Sequence, residues 1–145
     1  IAQVFEKVCT QTKILLNTIN HNIITDFKKE SDFEINKSYI ESIFTNLLTN
    51  SIKYKSVNTQ LIIEISASLV NEETMIIFKD NGIGIDLDRN KDKVFGLYQK
   101  FHSYPDSKGL GLYLVKSQVE AMGGTITIES EVNVGTKFVM KFPHK

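Results

Sequence analysis

The chain has 145 residues, 41% of them hydrophobic and 10% aromatic, which is enough for one domain with a sizeable core. Seventeen basic residues balance seventeen acidic ones, so there is no general basic field to attract nucleic acid or an anionic membrane. Cys9 is the only cysteine, which excludes an internal disulfide and a cysteine-built zinc site.

The sequence shows no membrane span and no targeting segment. No apolar run approaches the roughly 20 residues needed to span a bilayer, and no signal peptide opens the chain. The first residue is Ile1 rather than Met. We therefore expect a segment of a longer protein, from a reducing compartment in which Cys9 is a small buried residue.

The first third of the chain is predicted to begin with one amphipathic helix over about residues 2 to 19. Its apolar face has residues at helical spacing: Val4, Phe5, Val8, Thr12, Leu15, Leu16 and Ile19. Two short strands are predicted at residues 22 to 27 and 33 to 35, on either side of the charged turn from Lys28 to Asp32. We interpret these elements as scaffold.

A second predicted helix begins near Asn36 or Ser38, since Ser38 to Glu41 has the form of a capping box, and runs to about Tyr54. Its core face consists of Ile40, Ile43, Phe44, Leu47, Leu48 and Ser51. A polar stripe borders that face: Asn46, Asn50, Lys53 and Tyr54. Asparagine is a poor helix former, so two asparagines one turn apart favour a pocket wall over an ordinary solvated face.

A strand and a glycine-containing turn follow this helix. Residues 61 to 69 alternate apolar and polar positions, and residues 71 to 73 turn the chain back into a strand that ends at Asp80. The stretch from Asp80 to Asp86 contains Gly82 and Gly84, which leave room for a flat ligand beside an acceptor carboxylate. By itself this stretch is also typical of an ordinary tight turn.

The polar passage from Leu87 to Lys108 is long for a connection, which is typical of a lid or a disordered segment. We predict a lid, with one short helix around Lys91 to Phe101 and then the loop from His102 to Ser107. Apolar anchors favour the lid: Val94, Phe95, Leu97, Tyr98 and Phe101.

The last part of the chain is predicted to form a helix and a hairpin. Gly109-Leu110-Gly111-Leu112 leads into a helix that runs to Met122 and stops at the following glycine pair. Free N–H groups at its start would suit phosphates. Residues 125 to 130 and 136 to 142 then alternate as two paired strands.

Five patterns stand in a fixed order between residues 46 and 136: Asn46 to Tyr54, Asp80 to Gly84, Phe95 to Phe101, Gly109 to Leu112, and Gly135-Thr136. This order resembles the N, G1, F, G2 and G3 boxes of the catalytic, ATP-binding domain of bacterial sensor histidine kinases. Their superfamily includes gyrase-type, MutL-type and chaperone ATPases. The resemblance implies an α+β two-layer sandwich (Bergerat fold), with a mixed sheet covered by helices on one face. It also implies a single domain over residues 1–145 and an ATP lid at about 87–108.

The resemblance implies roles for individual residues around Mg-ATP. Asp80 would bind the adenine amino group, directly and through water shared with Thr136, while Asn50 would ligate Mg²⁺. The catalytic set would be Asn46, Asn50 and Lys53. The full ATP-binding set would be Asn46, Asn50, Lys53, Tyr54, Asp80, Gly82, Gly84, Ile85, Lys100, Phe101, Lys108, Gly109, Leu110, Gly111, Leu112 and Thr136.

Asn46 bears on the reaction. In the gyrase and chaperone relatives a glutamate at this place activates water, and an amide cannot act as a general base, so rapid ATP hydrolysis is not expected. His21, His102 and His144 lack the setting of the family's phosphoacceptor histidine. The resemblance therefore implies an acceptor on a dimerisation domain upstream of Ile1, and a response-regulator receiver domain as partner.

Two alternatives stay open at this point. One is a non-catalytic nucleotide-sensing or docking module on the same fold, and the other is a serine-directed kinase of the anti-sigma-factor type. P-loop, protein-kinase and dinucleotide motifs are missing from the sequence. We expect a cytoplasmic domain with no direct membrane or nucleic-acid contact, while the sequence leaves open whether the complete protein is membrane-anchored.

Overall fold

The computed structural model describes residues 1–90, 93–96 and 111–144, except for the side chain of Glu30. In this part of the chain five strands form one sheet in the order β1-β2-β3-β5-β4. They are β1 (His21–Phe27), β2 (Leu61–Val70), β3 (Glu73–Asp80), β4 (Thr125–Glu131) and β5 (Gly135–Pro143). The β1–β2 pair is parallel and the other pairs are antiparallel, so the sheet is mixed, as predicted.

The helices of the described residues supply one layer of the fold. They are α1 (Ala2–Gln11), α2 (Lys13–Leu16), α3 (Lys37–Lys53), α4 (Leu87–Asn90) and α5 (Gly111–Ala121). Buried side chains of α1, α3 and α5 form one apolar cluster with alternate residues of the strands, from Phe5 and Phe44 to Phe78 and Phe142. The rings of Phe5 and Phe44 meet edge to face, with centroids 5.5 Å apart. The predicted two-layer arrangement is confirmed.

The sheet register places Asp80 beneath the helices. Thr74, Ile76 and Phe78 of β3 are buried against the helical layer. Successive residues of a strand point to opposite faces, so Asp80 continues this inward row at the end of the strand. Asp80 pairs with Thr136 of β5 in the ladder. One carboxylate and one hydroxyl therefore lie side by side at the edge of the core.

The single N-terminal helix predicted over residues 2 to 19 is wrong. The helix breaks at Thr12, which separates α1 from α2, and it ends at Leu16. At Thr12 the backbone leaves the helical region, with φ −98° and ψ 8°, and the Thr12 hydroxyl donates to the Val8 carbonyl oxygen at 2.7 Å. Phe5, Val8 and Leu16 still face the core, whereas Leu15 is exposed.

The predicted strand at residues 33 to 35 is also wrong, since this segment is irregular. The Phe33 ring stacks on the rings of Phe142 and His144, each 5.4 Å away. This packing partly buries Phe33 without a strand ladder. The preceding charged turn contains a short 3-10 helix, Lys29–Ser31.

At the start of α3, the N-cap residue is Asn36, whose side-chain oxygen accepts the Tyr39 N–H at 3.1 Å. The capping box predicted from Ser38 does not start the helix. Glu41, its expected partner, instead pairs with Lys7 of α1 at 3.1 Å. The core face predicted for α3 is buried throughout, and its two stripe asparagines are half-buried.

A short helix that was not predicted, α4 (Leu87–Asn90), precedes the predicted lid helix. Of the residues predicted for the lid helix, from Lys91 to Phe101, only 93 to 96 are described, and they form a turn. Residues 91, 92 and 97 to 110, which include the predicted loop from His102 to Ser107, lie outside the described residues. The remaining strands and the C-terminal helix agree with the prediction to within about two residues at each end.

Candidate nucleotide-binding site

A cleft opens between α3, the loop after β3, the start of α5, and β5. Seven of the predicted ATP-binding residues line the cleft: Asn50, Tyr54, Asp80, Gly84, Ile85, Leu112 and Thr136. Ile83 and Phe138 also line it and were not predicted.

Two hydrogen bonds hold the Asp80 carboxylate in the cleft wall. The Gly82 N–H donates to Oδ1 at 2.9 Å, and the Ser51 hydroxyl donates to Oδ2 at 2.7 Å. Ser51 is 2% exposed. The sequence placed Ser51 only on the apolar core face of α3, and its function was missed. A buried hydroxyl needs a partner, which is the signal that could have found it.

A second polar cluster surrounds Thr136. The Ser130 hydroxyl oxygen lies 2.8 Å from Thr136 Oγ1, accepts the Ile85 N–H at 2.8 Å and donates to the Gly135 carbonyl oxygen at 2.9 Å. Ser130 therefore links β4, β5 and the loop after β3. Sequence reasoning treated Ser130 only as the end of a strand and gave it no function.

The two glycines of the loop after β3 are required for a different reason from the one predicted. A Cβ at Gly82 would lie 2.7 Å from the Tyr54 carbonyl oxygen, and one at Gly84 would lie 2.1 Å from the Glu131 carbonyl oxygen. The space beside both α-carbons is thus filled by protein backbone. Gly84 does line the cleft, but the expectation that its missing side chain makes room for a base is corrected.

Tyr54 connects α3 to the same loop. Its carbonyl oxygen accepts the Ile83 N–H at 3.0 Å, and its N–H donates to the Asn50 carbonyl oxygen at 3.0 Å. These two bonds join the last turn of α3 to the loop after β3, and Asn50, Tyr54 and Ile83 all line the cleft. Lys53 is half-buried in this turn and does not line the cleft.

Two amide oxygens lie near Gly111, the first residue of α5, one from Asn50, which lines the cleft, and one from Asn46, which does not. A Cβ at Gly111 would lie 3.5 Å from Asn46 Oδ1 and 3.8 Å from Asn50 Oδ1. Asn46 Nδ2 donates to the Ser42 carbonyl oxygen at 3.0 Å, which leaves Oδ1 directed at α5. These neutral oxygens are the ligand type that Mg²⁺ accepts alongside phosphate oxygens and water.

The remaining predicted site residues lie outside the described part of the chain: Lys100, Phe101, Lys108, Gly109 and Leu110. Two of the predicted lid anchors are described. Val94 is buried, and the Phe95 ring lies 6.4 Å from the Phe138 ring, with Lys116 Nζ 5.6 Å from the Phe95 centroid. The start of the predicted lid thus packs on a residue of the cleft wall.

Among residues 1–90, 93–96 and 111–144, no group of three or more His, Cys, Asp or Glu side chains could hold a metal ion. Within the same described ranges no helix is long and apolar enough to cross a bilayer.

A family model described as "Histidine kinase-, DNA gyrase B-, and HSP90-like ATPase" matches residues 35–145, well over half of the chain. The chain belongs to this family. The predicted family and the Bergerat-type fold are both confirmed, and ATP is the ligand that membership of this ATPase family implies.

Several relatives of the chain are sensor kinases. The methanogenesis regulatory histidine kinase FilI of Methanothrix harundinacea is 38% identical over 109 residues, which cover 75% of this chain and 12% of FilI. The sensor protein RprX of Bacteroides fragilis is 38% identical over 109 residues, which cover 72% of this chain and 21% of RprX. The chain thus spans a small part of the length of these ATPase-family relatives.

Solved structures of histidine kinases share the fold. The mycobacterial sensor histidine kinase MprB superposes with a TM-score of 0.84 at 17% identity, covering 98% of this chain and 94% of that one. Full-length ShkA in complex with AMPPNP superposes with a TM-score of 0.81 at 19% identity, covering 97% of this chain and 29% of ShkA. At these identities the likeness concerns the fold of the ATPase family.

Proposed function

We propose that this chain is the catalytic domain of a sensor histidine kinase. It binds Mg-ATP in the cleft and transfers the γ-phosphoryl group to a histidine of a separate upstream dimerisation domain. The single observation that carries the proposal is the arrangement of α3. This helix presents Ser51 to the fixed Asp80 carboxylate at one end of the cleft and Asn50 to Gly111 at the other.

The end of the cleft at Asp80 binds adenine. Asp80 accepts hydrogen bonds from the exocyclic amino group, and water shared with Thr136 completes the contact. Tyr54 and the apolar lining residues Ile83, Ile85 and Phe138 cover the faces of the base.

The other end, near Gly111, holds the phosphates and Mg²⁺. When bound, Mg²⁺ neutralises charge on the phosphate oxygens, and the chain contributes the Asn50 oxygen as its ligand, with Asn46 next to it. Lys53, Lys100 and Lys108 add positive charge. The N–H groups of residues 109 to 112 bind phosphate oxygens at the start of α5.

The properties of Asn46 and of the histidines of this chain support transfer of the γ-phosphoryl group to a histidine of another domain. Asn46 supplies no general base for water, and phosphoryl transfer depends mainly on positioning and charge neutralisation. His21 lies on the edge strand β1, with Nδ1 3.1 Å from the Ile19 carbonyl oxygen, and His144 bonds Thr74; neither lines the cleft. His102 lies outside the described residues. We propose that the nucleophile is a histidine of the dimerisation domain and that the phosphohistidine passes its phosphoryl group to a receiver domain.

We propose domain and lid boundaries that are consistent with this function. Residues 1–145 form one catalytic domain with a lid at about 87–108, acting at the cytoplasmic side of a signalling protein. The buried Val94 and the partly buried Phe95, whose ring lies 6.4 Å from that of Phe138, support a lid that packs on the cleft wall.

The test joins this chain to its upstream domain and supplies γ-labelled ATP with Mg²⁺. We expect acid-labile phosphate on the upstream histidine, and none on the isolated chain. Acid-stable phosphate would instead favour a serine-directed kinase, and ATP binding without transfer would favour a docking module. No ATP binding at about 5 mM, a concentration that reveals even millimolar affinity, would contradict all three.

A further inference from the structure

Ser51 and Ser130 do not line the cleft, yet each bonds a polar group that does. Ser51 bonds Asp80, and Ser130 bonds Thr136. Asp80 and Thr136 are paired residues of neighbouring strands, so the two polar groups form one recognition edge. The proton positions along this edge decide which ligand atoms it can bind.

The Ser130 hydroxyl has one hydrogen to donate and two lone pairs. The Ile85 N–H occupies one lone pair, and the Gly135 carbonyl oxygen, which can only accept, takes the hydrogen. The contact of 2.8 Å between Ser130 Oγ and Thr136 Oγ1 must then be a donation from Thr136. The Thr136 oxygen consequently offers a ligand only its lone pairs.

The Asp80 carboxylate also presents only acceptors. Its Oδ1 accepts the Gly82 N–H, and its Oδ2 accepts the hydroxyl of Ser51. Each oxygen retains a further lone pair, and the two bonds fix the plane in which these lone pairs lie. An N–H group of a ligand finds a partner there, whereas a carbonyl oxygen meets lone pairs only.

We propose that Ser51 and Ser130 are positioning residues that make this edge an acceptor-only edge. They thereby set selectivity for a base with an exocyclic amino group over one with a carbonyl group at the same place. An amino group has two N–H bonds and can serve both Asp80 and Thr136 or a shared water. The inference rests on the proposed function, because it assumes that the base lies at this end of the cleft.

The test measures the affinities of the 145-residue chain and its variants for three Mg-nucleotides. ATP carries a 6-amino group, ITP a 6-oxo group, and purine riboside triphosphate neither. The readout is the ratio of the ITP Kd to the ATP Kd, with purine riboside triphosphate as the neutral reference. We expect the unaltered chain to prefer ATP.

In Ser130→Ala the Thr136 hydroxyl is free to donate a hydrogen bond into the cleft. The affinity for ITP should therefore rise relative to the affinity for purine riboside triphosphate. In Ser51→Ala the Asp80 carboxylate loses one of its two hydrogen bonds from the protein. The affinity for ATP should therefore fall, while the affinities for ITP and for purine riboside triphosphate should change little. Each variant should lower the ratio by about three- to tenfold, as expected for one hydrogen bond.

Thr49→Val is the matched control. The Thr49 hydroxyl bonds the Thr45 and Asn46 carbonyl oxygens of its own helix and Thr49 does not line the cleft, so the ratio should not change. Equal weakening of all three nucleotides by both serine variants would show a merely structural role and overturn the proposal. So would equal binding of ATP and ITP by the unaltered chain, a result that needs no variant to fold.

Thermal unfolding shows whether each variant is folded. If only one serine variant folds, that variant still tests the proposal, because the two serines act on different hydrogen bonds. Failure of the unaltered chain to bind any of the three nucleotides would refute the proposed function instead.

Discussion

The backbone of Gly84 lies against the carbonyl oxygen of Glu131, so closely that a Cβ on Gly84 would stand 2.1 Å from that oxygen. Gly84 also has a φ of +74°, a conformation that side chains disfavour. The Asn133 N–H donates to the Ile83 carbonyl oxygen at 2.8 Å beside this contact. The turn between β4 and β5 therefore holds the loop that lines the cleft.

We expect Gly84→Ala to destabilise the protein more than Gly123→Ala. Gly123 has a similar φ of +77° but no atom within 4 Å of a built Cβ, so it serves as a matched control. The control should cost about 1–2 kcal/mol from backbone conformation alone, and Gly84→Ala should add the cost of displacing the Glu131 backbone. Denaturant unfolding measures both. Equal losses of unfolding free energy in the two variants would mean that the loop containing Gly84 moves away from Glu131 without loss of stability.

Asp80→Asn should weaken ATP binding by roughly 1.5 to 3 kcal/mol, about tenfold to more than a hundredfold. The amide keeps the shape of the carboxylate but lacks its charge and one of its two acceptor oxygens. Titration calorimetry gives the change in Kd. Asp26→Asn is the control, since Asp26 is exposed on β1 and pairs with Lys28 at 3.1 Å, away from the cleft. Unchanged ATP binding in Asp80→Asn would place the base elsewhere.

Asn50→Ala should remove the gain in ATP affinity that Mg²⁺ provides, by at least about tenfold, because a side-chain oxygen ligand is lost. Binding of ATP in the presence of a chelator should stay the same. Asn50→Asp retains an oxygen and should preserve the Mg²⁺ dependence. The measurement is nucleotide affinity across a magnesium titration, with Asn22→Ala on β1 as control. If Asn50→Ala keeps the full dependence, the metal is held by other groups.

Cys9 should react slowly with iodoacetamide at neutral pH. Burial, and secondarily the charge of Glu6, raises the pKa of the Cys9 thiol, so less of the reactive thiolate is present. The rate should rise with pH beyond the usual titration range of a thiol, and unfolding in urea should raise it at neutral pH. Because the folded chain holds this proton more tightly, stability should fall slightly as pH rises through the thiol pKa. Mass spectrometry follows the labelling, and equal rates for folded and unfolded chain would contradict the prediction.

The spacing of apolar residues was sufficient to predict those helices and strands in which the apolar residues are also the buried ones. The alternation of β2, the apolar face of α3 and the glycines after α5 all predicted elements that the structure contains, because period and burial are local properties of the chain. Periodicity failed at Thr12 and Phe33. The backbone at Thr12 leaves the helical region, with φ −98° and ψ 8°, and the Phe33 ring stacks on distant rings where a strand was expected.

The sequence by itself located several residues of the cleft, among them Asp80, Asn50 and Thr136, since these lie in ordered patterns that identify the family. Only the tertiary structure decided what holds them. Ser51 reaches Asp80 across 29 positions of sequence, and the loop containing Gly84 packs against the backbone of Glu131 at the end of β4. Such contacts depend on how α3 and the β4–β5 turn pack against β3, and no local pattern records that packing.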